Sequence, residues 1–206
     1  MNGNEKLTQQ MTDDELIAEY LKGNIHYFDS LLKRYEAKLF NYIYRLIGQR
    51  QEAENIFQDV FSRVIDHMAA YQKNGKFGAW IFKIALNLCR DNLRKRKKMI
   101  TISLNQQFGS TDSQDCSLEN LIASDAPSSS NEVHAAHMQE ILQETISCLP
   151  DKQREVLTLR IYGKLSFKEI SEILHCSINT ALARMHYALK YLREKLKERG
   201  VADELR

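Results

Sequence analysis

The stretch SFKEISEILHCSINTALARMHYALK, residues 166–190, contains two helix-start signals in quick succession. Ser166 followed by Glu169 forms a capping-box pattern, in which each side chain bonds the other residue's backbone. Ser177 is a favourable N-cap for the helix that follows. The letters HCS between the two helices leave room only for a tight turn. Two helices joined by a short turn predict a helix-turn-helix, and the alternative is an ordinary helical hairpin.

Apolar residues recur through the second of these helices at helical spacing. We expect its apolar face to carry Ile178, Ala181, Leu182, Met185, Leu189, Leu192 and Leu196. The middle of the helix, residues 181–183, reads Ala-Leu-Ala. A helix that lies in a DNA groove presents polar or basic groups to the base edges. The shape of this helix favours groove binding, but its central residues offer no hydrogen bonds.

The N-terminal half has the same helical periodicity. Thr12 and Glu15 form another capping box, which predicts a helix start there. Apolar stripes predict further helices over about 27–46, 51–71 and 79–98, with a Gly- and Asn-containing loop at 72–78. The sequence thus predicts a helical N-terminal module that ends near the basic run RKRKK, residues 94–98.

Periodicity is lost over residues 101–130, which are rich in Ser, Asp and Asn. We interpret this segment as a flexible linker with a short turn around Leu118–Ile122. The prediction is an all-α protein of two small helical domains joined by a flexible linker, the C-terminal one a helix-turn-helix. The domain boundaries that we expect are 1–99, 100–130 and 131–206. The sequence leaves open whether the two domains pack together.

Composition places the chain among ordinary globular proteins, with 43% hydrophobic and 27% charged residues in a total of 206. No apolar run approaches the roughly 20 residues that span a bilayer. The polar N-terminus, MNGNEKLTQQMTDDE, lacks the apolar core of a secretory signal. We therefore expect a cytoplasmic protein without direct membrane insertion.

The net charge is only +2, but the charged residues are distributed unevenly along the chain. Residues 101–151 contain no Lys or Arg, whereas the segments on either side are basic. Two basic modules joined by an acidic strip favour two contacts with one polyanion. The alternative is two solvated helical faces, which charge alone does not exclude.

Motifs for chemistry or metal binding are weak. The four cysteines, Cys89, Cys116, Cys148 and Cys176, form no C-x-x-C pair and are interpreted as free thiols. A zinc site is the less favoured alternative for His134, His137, Cys148, His175 and Cys176, because structural zinc usually has tightly paired ligands. We find no nucleotide-binding glycine loop and no hydrolase motif. We expect no metal, no cofactor and no enzymatic activity.

The two modules together resemble one known family. FDSLLKRYEAKLFNYIYRLIGQRQEAENIFQDVFSRV (28–64) and FGAWIFKIALNLCRDNLRKRKK (77–98) resemble the second conserved region of extracytoplasmic-function (ECF) bacterial sigma factors. The segment from Leu149 to Leu196 resembles the fourth region of the same family. The resemblance implies a protein that binds RNA polymerase core enzyme and directs it to selected promoters. An anti-sigma factor is a common partner in this family.

For the helix over about 51–71, the resemblance implies docking on polymerase core. The matching residues are Glu54, Gln58, Asp59 and Phe61. A carboxylate and an amide beside an aromatic ring suit a partner helix with basic and apolar groups. Asn55 stands where the family often has Asp, which implies a weaker docking charge.

For the next loop and helix, the resemblance implies opening of the promoter and capture of unpaired bases of the minus-ten element. The candidate residues are Tyr71, Asn74, Phe77, Trp80, Lys83, Asn87, Arg90 and Arg94. Aromatic rings can stack on bases, amides can bond to base edges, and cations can hold phosphates. The alternative for Trp80 is a place in the core. Leu86 stands where the family has a basic residue.

For the last helix, the resemblance implies major-groove reading of the minus-thirty-five element. The candidate readers are Asn179, Thr180, Arg184, His186, Tyr187 and Lys190. The family usually has Lys or Arg at the position of Leu182 and a small polar residue at Ala183. Leu182 either touches a thymine methyl group or turns into the core, and both possibilities reduce hydrogen-bond readout.

The resemblance also implies that the acidic linker passes through polymerase towards the RNA exit path, and the alternative is a passive tether. An alternative function for the whole chain is a free-standing helix-turn-helix regulator that acts without polymerase core. Such a regulator needs neither a polymerase-docking helix nor strand-opening aromatic residues. A third possibility is an interaction protein that has lost DNA reading through the changes at residues 182 and 183.

Overall fold

A computed structural model describes residue 8 and residues 10–72, 74–107 and 130–200, except for the side chains of residues 100, 102–107 and 130–136. Within these ranges every regular element is helical, and no strand is present. The all-α prediction is therefore confirmed. The suggested turn at 118–122 lies outside the described residues, as do Cys116 and the side chain of His134.

In the described part of the N-terminal module there are four α-helices of known bounds and a short 3-10 turn. The helices are α1 (Asp13–Leu21), α2 (His26–Ile47), α3 (Arg50–His67) and α4 (Phe77–Gln107), with the 3-10 turn Met68–Ala70 after α3. The capping box at Thr12 is present, since its side chain accepts from the backbone N–H of Glu15 and the Glu15 carboxylate accepts in return. Gly48 ends α2 at a positive φ of 79°, a conformation in which glycine has no steric penalty.

Residues 130–200, the described part of the C-terminal module, also contain four helices. They are α5 (Ser130–Ser147), α6 (Asp151–Ile161), α7 (Phe167–Leu174) and α8 (Ile178–Glu198). Ser166 and Glu169 form the predicted capping box, and Ser177 Oγ accepts from the backbone N–H of Thr180 at 3.0 Å. Because His175 adopts a left-handed conformation at the end of α7, the chain reverses between α7 and α8 within a few residues. The helix-turn-helix predicted from the sequence is confirmed.

Helix α4 differs from the prediction at both ends. It begins at Phe77 instead of Ala79, and it continues to Gln107 where the sequence suggested an end at Lys98. The segment after Lys98 contains no Gly or Pro before Gln107, so nothing local ends the helix. The N-terminal part of the predicted linker is therefore helical.

The prediction of which residues form the buried apolar face of α8 is partly wrong. Ala181, Ala188, Leu192 and Leu196 are buried. Ile178, Leu182 and Leu189 are instead exposed by 45%, 44% and 43%. Residues 178, 182 and 189 form a neighbouring stripe of the helix surface, and the stripe through 181, 188, 192 and 196 faces the core.

The two modules pack together, which the sequence left open. The largest apolar core is continuous across them and contains Tyr42 and Phe82 from the first module with Val156, Leu159 and Ile170 from the second. This shared core places α6 and α7 against α2 and α4.

A buried polar contact joins the modules on another side. The guanidinium of Arg45, only 7% exposed, donates from Nη1 to the backbone oxygen of Gln139 and to Oε1 of Gln143, each at 3.1 Å. Across the described helices, no segment is both long and apolar enough to cross a membrane.

Candidate nucleic-acid interface

Three aromatic rings cluster where the loop after the 3-10 turn meets the start of α4. The ring centroids of Tyr71 and Trp80 are 5.2 Å apart, and Phe77 lies 5.6 Å from each. Tyr71 and Trp80 are half-buried, so each keeps one accessible surface. Phe77 is only 1% exposed, which corrects the expectation that it offers a stacking surface. Its buried ring packs against the other two.

The loop that carries Tyr71 is fixed by Asp14, which lies in the first turn of α1 and which no sequence pattern assigned to this site. Asp14 accepts hydrogen bonds from the Tyr71 hydroxyl at 3.1 Å and from the backbone N–H of Gly75 at 2.8 Å. Burial, together with the Asp14 carboxylate, raises the pKa of Tyr71 to about 12. Tyr71 is therefore a neutral hydrogen-bond donor at physiological pH.

An open cavity of about 350 Å³ lies beside these rings. Its first-module wall contains Tyr71, Asn74, Trp80 and Lys83, all of which were candidates for minus-ten recognition. Its opposite wall belongs to α7 and contains Glu169, Glu172 and Ile173. The structure thus brings four predicted site residues together, with two carboxylates of the second module facing them.

The remaining minus-ten candidates follow one side of α4. Lys83, Asn87, Arg90 and Arg94 are spaced at i, i+4, i+7 and i+11, so they share a helical face. Three of them are exposed, and Arg90 is half-buried. Leu86 is 1% exposed, so this substituted position belongs to the apolar core and not to the basic face.

Arg90 makes a two-pronged ion pair that no sequence pattern indicated. Its Nε and Nη2 donate to the two carboxylate oxygens of Glu155 at 2.6 and 2.7 Å. The Glu155 side chain is 10% exposed and that of Arg90 is 35% exposed. The hydrogen bond to Glu155 is the main cause that raises the pKa of Arg90. A planar guanidinium suits this bidentate geometry, which is stronger than a single neutral hydrogen bond.

The predicted docking face on α3 is only partly exposed. Gln58 and Asp59 are exposed, and the half-buried Glu54 accepts a hydrogen bond from Arg50 Nε at 3.0 Å. Phe61 is 8% exposed and lies edge-on to Phe57 with ring centroids 5.0 Å apart. The expectation that Phe61 contacts a partner is therefore corrected, because its side chain is core in this structure.

Helix α8 leaves most of its candidate readers accessible. Asn179, His186, Tyr187 and Lys190 are exposed, and Thr180 and Arg184 are half-buried. The Thr180 hydroxyl lies 2.8 Å from Ser177 Oγ, so it takes part in the helix cap. Leu182 and Ala183 are also exposed. The inward alternative for Leu182 is thus wrong, and its apolar side chain lies on the same surface as the readers.

No group of three or more His, Cys, Asp or Glu side chains is arranged to hold a metal ion in the part of the chain that the structure describes. Cys89 is a buried free thiol and Cys176 a half-buried one. Burial, with the nearby Glu155 carboxylate, raises the pKa of the Cys89 thiol. Cys89 is therefore an unreactive thiol while this packing persists.

Family comparison matches both modules. Residues 31–99 match Sigma-70 region 2, and residues 139–192 match Sigma-70, region 4. The ECF RNA polymerase sigma factor SigW of Bacillus subtilis is 30% identical over 189 residues, which cover 92% of this chain and 99% of that protein. The ECF RNA polymerase sigma factor SigM of the same organism is 31% identical over 179 residues, covering 85% of this chain and 98% of that protein.

Solved structures support the same fold. CnrH, in complex with the cytosolic domain of CnrY, superposes with a TM-score of 0.63 at 21% identity, covering 90% of this chain and 97% of that chain. The sigma factor RpoE from Bartonella quintana, in complex with the anti-sigma factor NepR, also has a TM-score of 0.63 at 20% identity, covering 82% and 96%. At these identities the likeness concerns the fold alone.

Proposed function

Because this chain belongs to the family of ECF RNA polymerase sigma factors, we propose that it binds RNA polymerase core and directs transcription initiation at a selected set of promoters. It acts in the cytoplasm, where core enzyme and promoter DNA are found. The observation that supports the proposal is the presence, in one chain, of an aromatic groove beside α4 and of a helix, α8, with exposed polar side chains in a helix-turn-helix.

In this proposal the α4 surface opens and holds the minus-ten element. Opening a duplex costs stacking energy, which aromatic platforms partly offset. Tyr71 and Trp80 supply such platforms, and Asn74 and Asn87 supply amides for base edges. Lys83, Arg90 and Arg94 lie on the same side of the helix, so they suit contacts with phosphates.

In the same proposal α8 enters the major groove at the minus-thirty-five element. Asn179 and Arg184 have side chains that pair with adenine and guanine respectively. His186, Tyr187 and Lys190 extend the polar surface along the helix, with a smaller role for Thr180 because its hydroxyl is engaged in the cap. The exposed Leu182 suits contact with a thymine methyl group.

Polymerase core docks on the exposed side of α3. Gln58 and Asp59 are accessible there, and Glu54 can exchange Arg50 for a basic group of the polymerase. A free-standing regulator has no use for this docking face. The two solved relatives were captured with CnrY and with the anti-sigma factor NepR, which supports a regulatory protein of that kind as a further partner.

Run-off transcription tests the proposal. Purified protein is added to bacterial core enzyme on a pool of genomic promoter fragments, and RNA start sites are sequenced. We expect a defined set of start sites that core alone does not produce. Absence of any transcript above core alone would refute the proposal.

Arg184→Ala should lower promoter use, through a loss of about 1–3 kcal/mol in the free energy of promoter recognition, if the guanidinium reads a base. Arg193→Ala, an exposed arginine of the same helix, is the matched control.

A further inference from the structure

Helix α8 carries an apolar stripe on its exposed surface. Ile178, Leu182 and Leu189 are spaced at i, i+4 and i+11, which places them along one side of the helix. Each of the three side chains is more than two-fifths exposed. Apolar residues that are scattered singly over a surface need no explanation, whereas an apolar patch indicates contact with a partner.

The charges around this stripe indicate the kind of partner. Residues 175–193 contain Arg184, Lys190 and Arg193 and no Asp or Glu. Lys190 and Arg193 are exposed beside the stripe. A surface that has cations at its border and no anion suits a polyanion. Its apolar part needs carbon atoms of that polyanion to pack against. Duplex DNA supplies both, because thymine presents a C5 methyl group in the major groove.

Leu182 and its neighbour Ala183 occupy the part of α8 that comes nearest to the bases. In a helix-turn-helix the N-terminal residues of the second helix contact the base edges. Residues 182 and 183 are the fifth and sixth of α8, and both are exposed. Leu189 lies about two turns further along the helix. Contact with a base edge is therefore expected of Leu182 and Ala183 and not of Leu189.

The same part of α8 offers little to bases other than thymine. Among residues 178–183, Asn179 supplies an amide, and the Thr180 hydroxyl is engaged with Ser177 Oγ at 2.8 Å. Guanine is read by Arg or Lys donors and cytosine by Asp or Glu acceptors. Because residues 182 and 183 supply neither, a guanine or cytosine opposite them would lose water from a polar edge without gaining a partner.

We propose that Leu182, with Ala183 beside it, makes base reading by α8 depend on the C5 methyl group of a pyrimidine. Thymine and 5-methylcytosine provide this group, and uracil and cytosine lack it. The inference rests on the proposed function and names the chemical group that selects promoters at the minus-thirty-five element. Methylation of a cytosine opposite Leu182 then raises promoter use without a change of base sequence.

The first test compares templates that differ only in this methyl group. The pool of genomic promoter fragments is amplified with dTTP or with dUTP, which preserves every base pair. Transcripts from a single round of initiation are counted for core enzyme with wild-type protein, Leu182→Ala or Leu189→Ala. The last variant is the matched control, since it removes an equally exposed leucine of the same stripe. Alanine favours helix, so both variants should fold, which circular dichroism checks.

Wild-type protein should give about fourfold more transcript from thymidine than from deoxyuridine templates for each methyl group that it contacts, the effect of burying one carbon. Leu182→Ala should lower this ratio by about the same factor at those promoters, and Leu189→Ala should keep it. Methyl groups outside the contact act equally on all three proteins, so the difference between variants isolates residue 182. A wild-type ratio in Leu182→Ala, or an equal fall in Leu189→Ala, would overturn the proposal.

The second test places the methyl group on a different base. In synthetic templates of one responsive promoter, the thymine of the minus-thirty-five element that is most sensitive to uracil is changed to cytosine or to 5-methylcytosine, each paired with guanine. Wild-type protein should use the 5-methylcytosine template about fourfold better, again the effect of one buried carbon. Leu182→Ala should use the two templates equally. Equal use by wild type would show that the methyl group has no effect of its own and would refute the proposal.

The thymidine templates separate this inference from the proposed function. Absence of transcripts from them with wild-type protein would refute the sigma-factor function, and this inference with it. Transcripts in normal amount, with the same thymidine-to-deoxyuridine ratio for wild type and Leu182→Ala, would refute methyl-dependent reading alone.

Discussion

The hydroxyl of Tyr71 donates a hydrogen bond to Asp14 across 3.1 Å, although 57 positions separate the two residues in the chain. The other oxygen of the same carboxylate accepts from the backbone N–H of Gly75 at 2.8 Å. Asp14 thereby connects α1 to the loop that leads into the aromatic groove. It holds Tyr71 against Trp80 without facing the groove itself.

Asp14→Asn should therefore weaken promoter opening more than overall folding. The amide keeps one acceptor and presents an unwanted donor to its two partners, and one hydrogen bond corresponds to about 1 kcal/mol, or roughly fivefold in the opening equilibrium. The measurement is 2-aminopurine fluorescence in the minus-ten region with reconstituted polymerase. Asp29→Asn is the control, since Asp29 also lies in the first turn of its helix. Equal opening by both variants would exclude a positioning role for Asp14.

Substitutions of Phe77 and Trp80 should have different effects, the first mainly on stability and the second mainly on promoter opening. Phe77→Ala removes a buried ring that is 1% exposed and should cost about 3–5 kcal/mol of unfolding free energy. Trp80→Ala removes a half-buried ring and should reduce promoter opening at a smaller cost in stability. Urea unfolding and 2-aminopurine fluorescence measure the two effects. If Trp80→Ala unfolds the protein as severely as Phe77→Ala, Trp80 is a core residue.

Asp59 should contribute to polymerase binding and not to folding. Its side chain is exposed on α3, so Asp59→Ala leaves the core intact. We expect a loss of about 1.5–3 kcal/mol in core affinity, the contribution of a hydrogen bond to a charged group. Competition binding to core enzyme measures it, with Glu36→Ala on the exposed surface of α2 as control. A parallel fall in melting temperature would assign Asp59 to folding instead.

Leu182 lies on the surface of α8, whereas its neighbour Ala181 lies in the core. Leu182 is 44% exposed, so Leu182→Lys should change stability by no more than about 0.5 kcal/mol. An added phosphate contact should steepen the salt dependence of DNA binding by about one unit of slope. Ala181→Lys should unfold the second module, because Ala181 is fully buried. Thermal unfolding measures the stability of both variants, and salt titrations of duplex binding measure the slope for Leu182→Lys. A slope equal to that of wild type would show that residue 182 does not contact the DNA.

Tyr42 carries a buried hydroxyl that has no hydrogen-bond partner among the residues that the structure describes. Burial raises the pKa of Tyr42 well above its ordinary value, so the unfolded chain loses this proton first as the pH rises. Stability should therefore fall from about pH 10 upward, where an unperturbed tyrosine ionises. Tyr42→Phe should equal or exceed wild type in stability at pH 7 and show a shallower alkaline decline by circular dichroism. A steeper decline would contradict this.

The order of helices and the positions of their caps could be predicted because they depend on neighbours in the chain. Thr12 with Glu15, Ser166 with Glu169, and Ser177 with the N–H of Thr180 each bond over three residues. Hydrogen bonds of that range require no tertiary context. The same local signals predicted the helix-turn-helix, and the family resemblance added the roles of the two modules.

Sequence alone determined the all-helical class, the two modules and the chemical types of the candidate site residues. Tertiary packing decided which of those residues are available. It buried Phe61 and Phe77, turned Leu182 outward, and paired Arg90 with Glu155 across 65 positions of chain. A periodic stripe does not specify which neighbouring side is buried, and an ion pair between distant residues leaves no pattern in either segment. Both are set when the modules bury a shared apolar core, because the hydrophobic effect depends on the area removed from water and not on sequence separation.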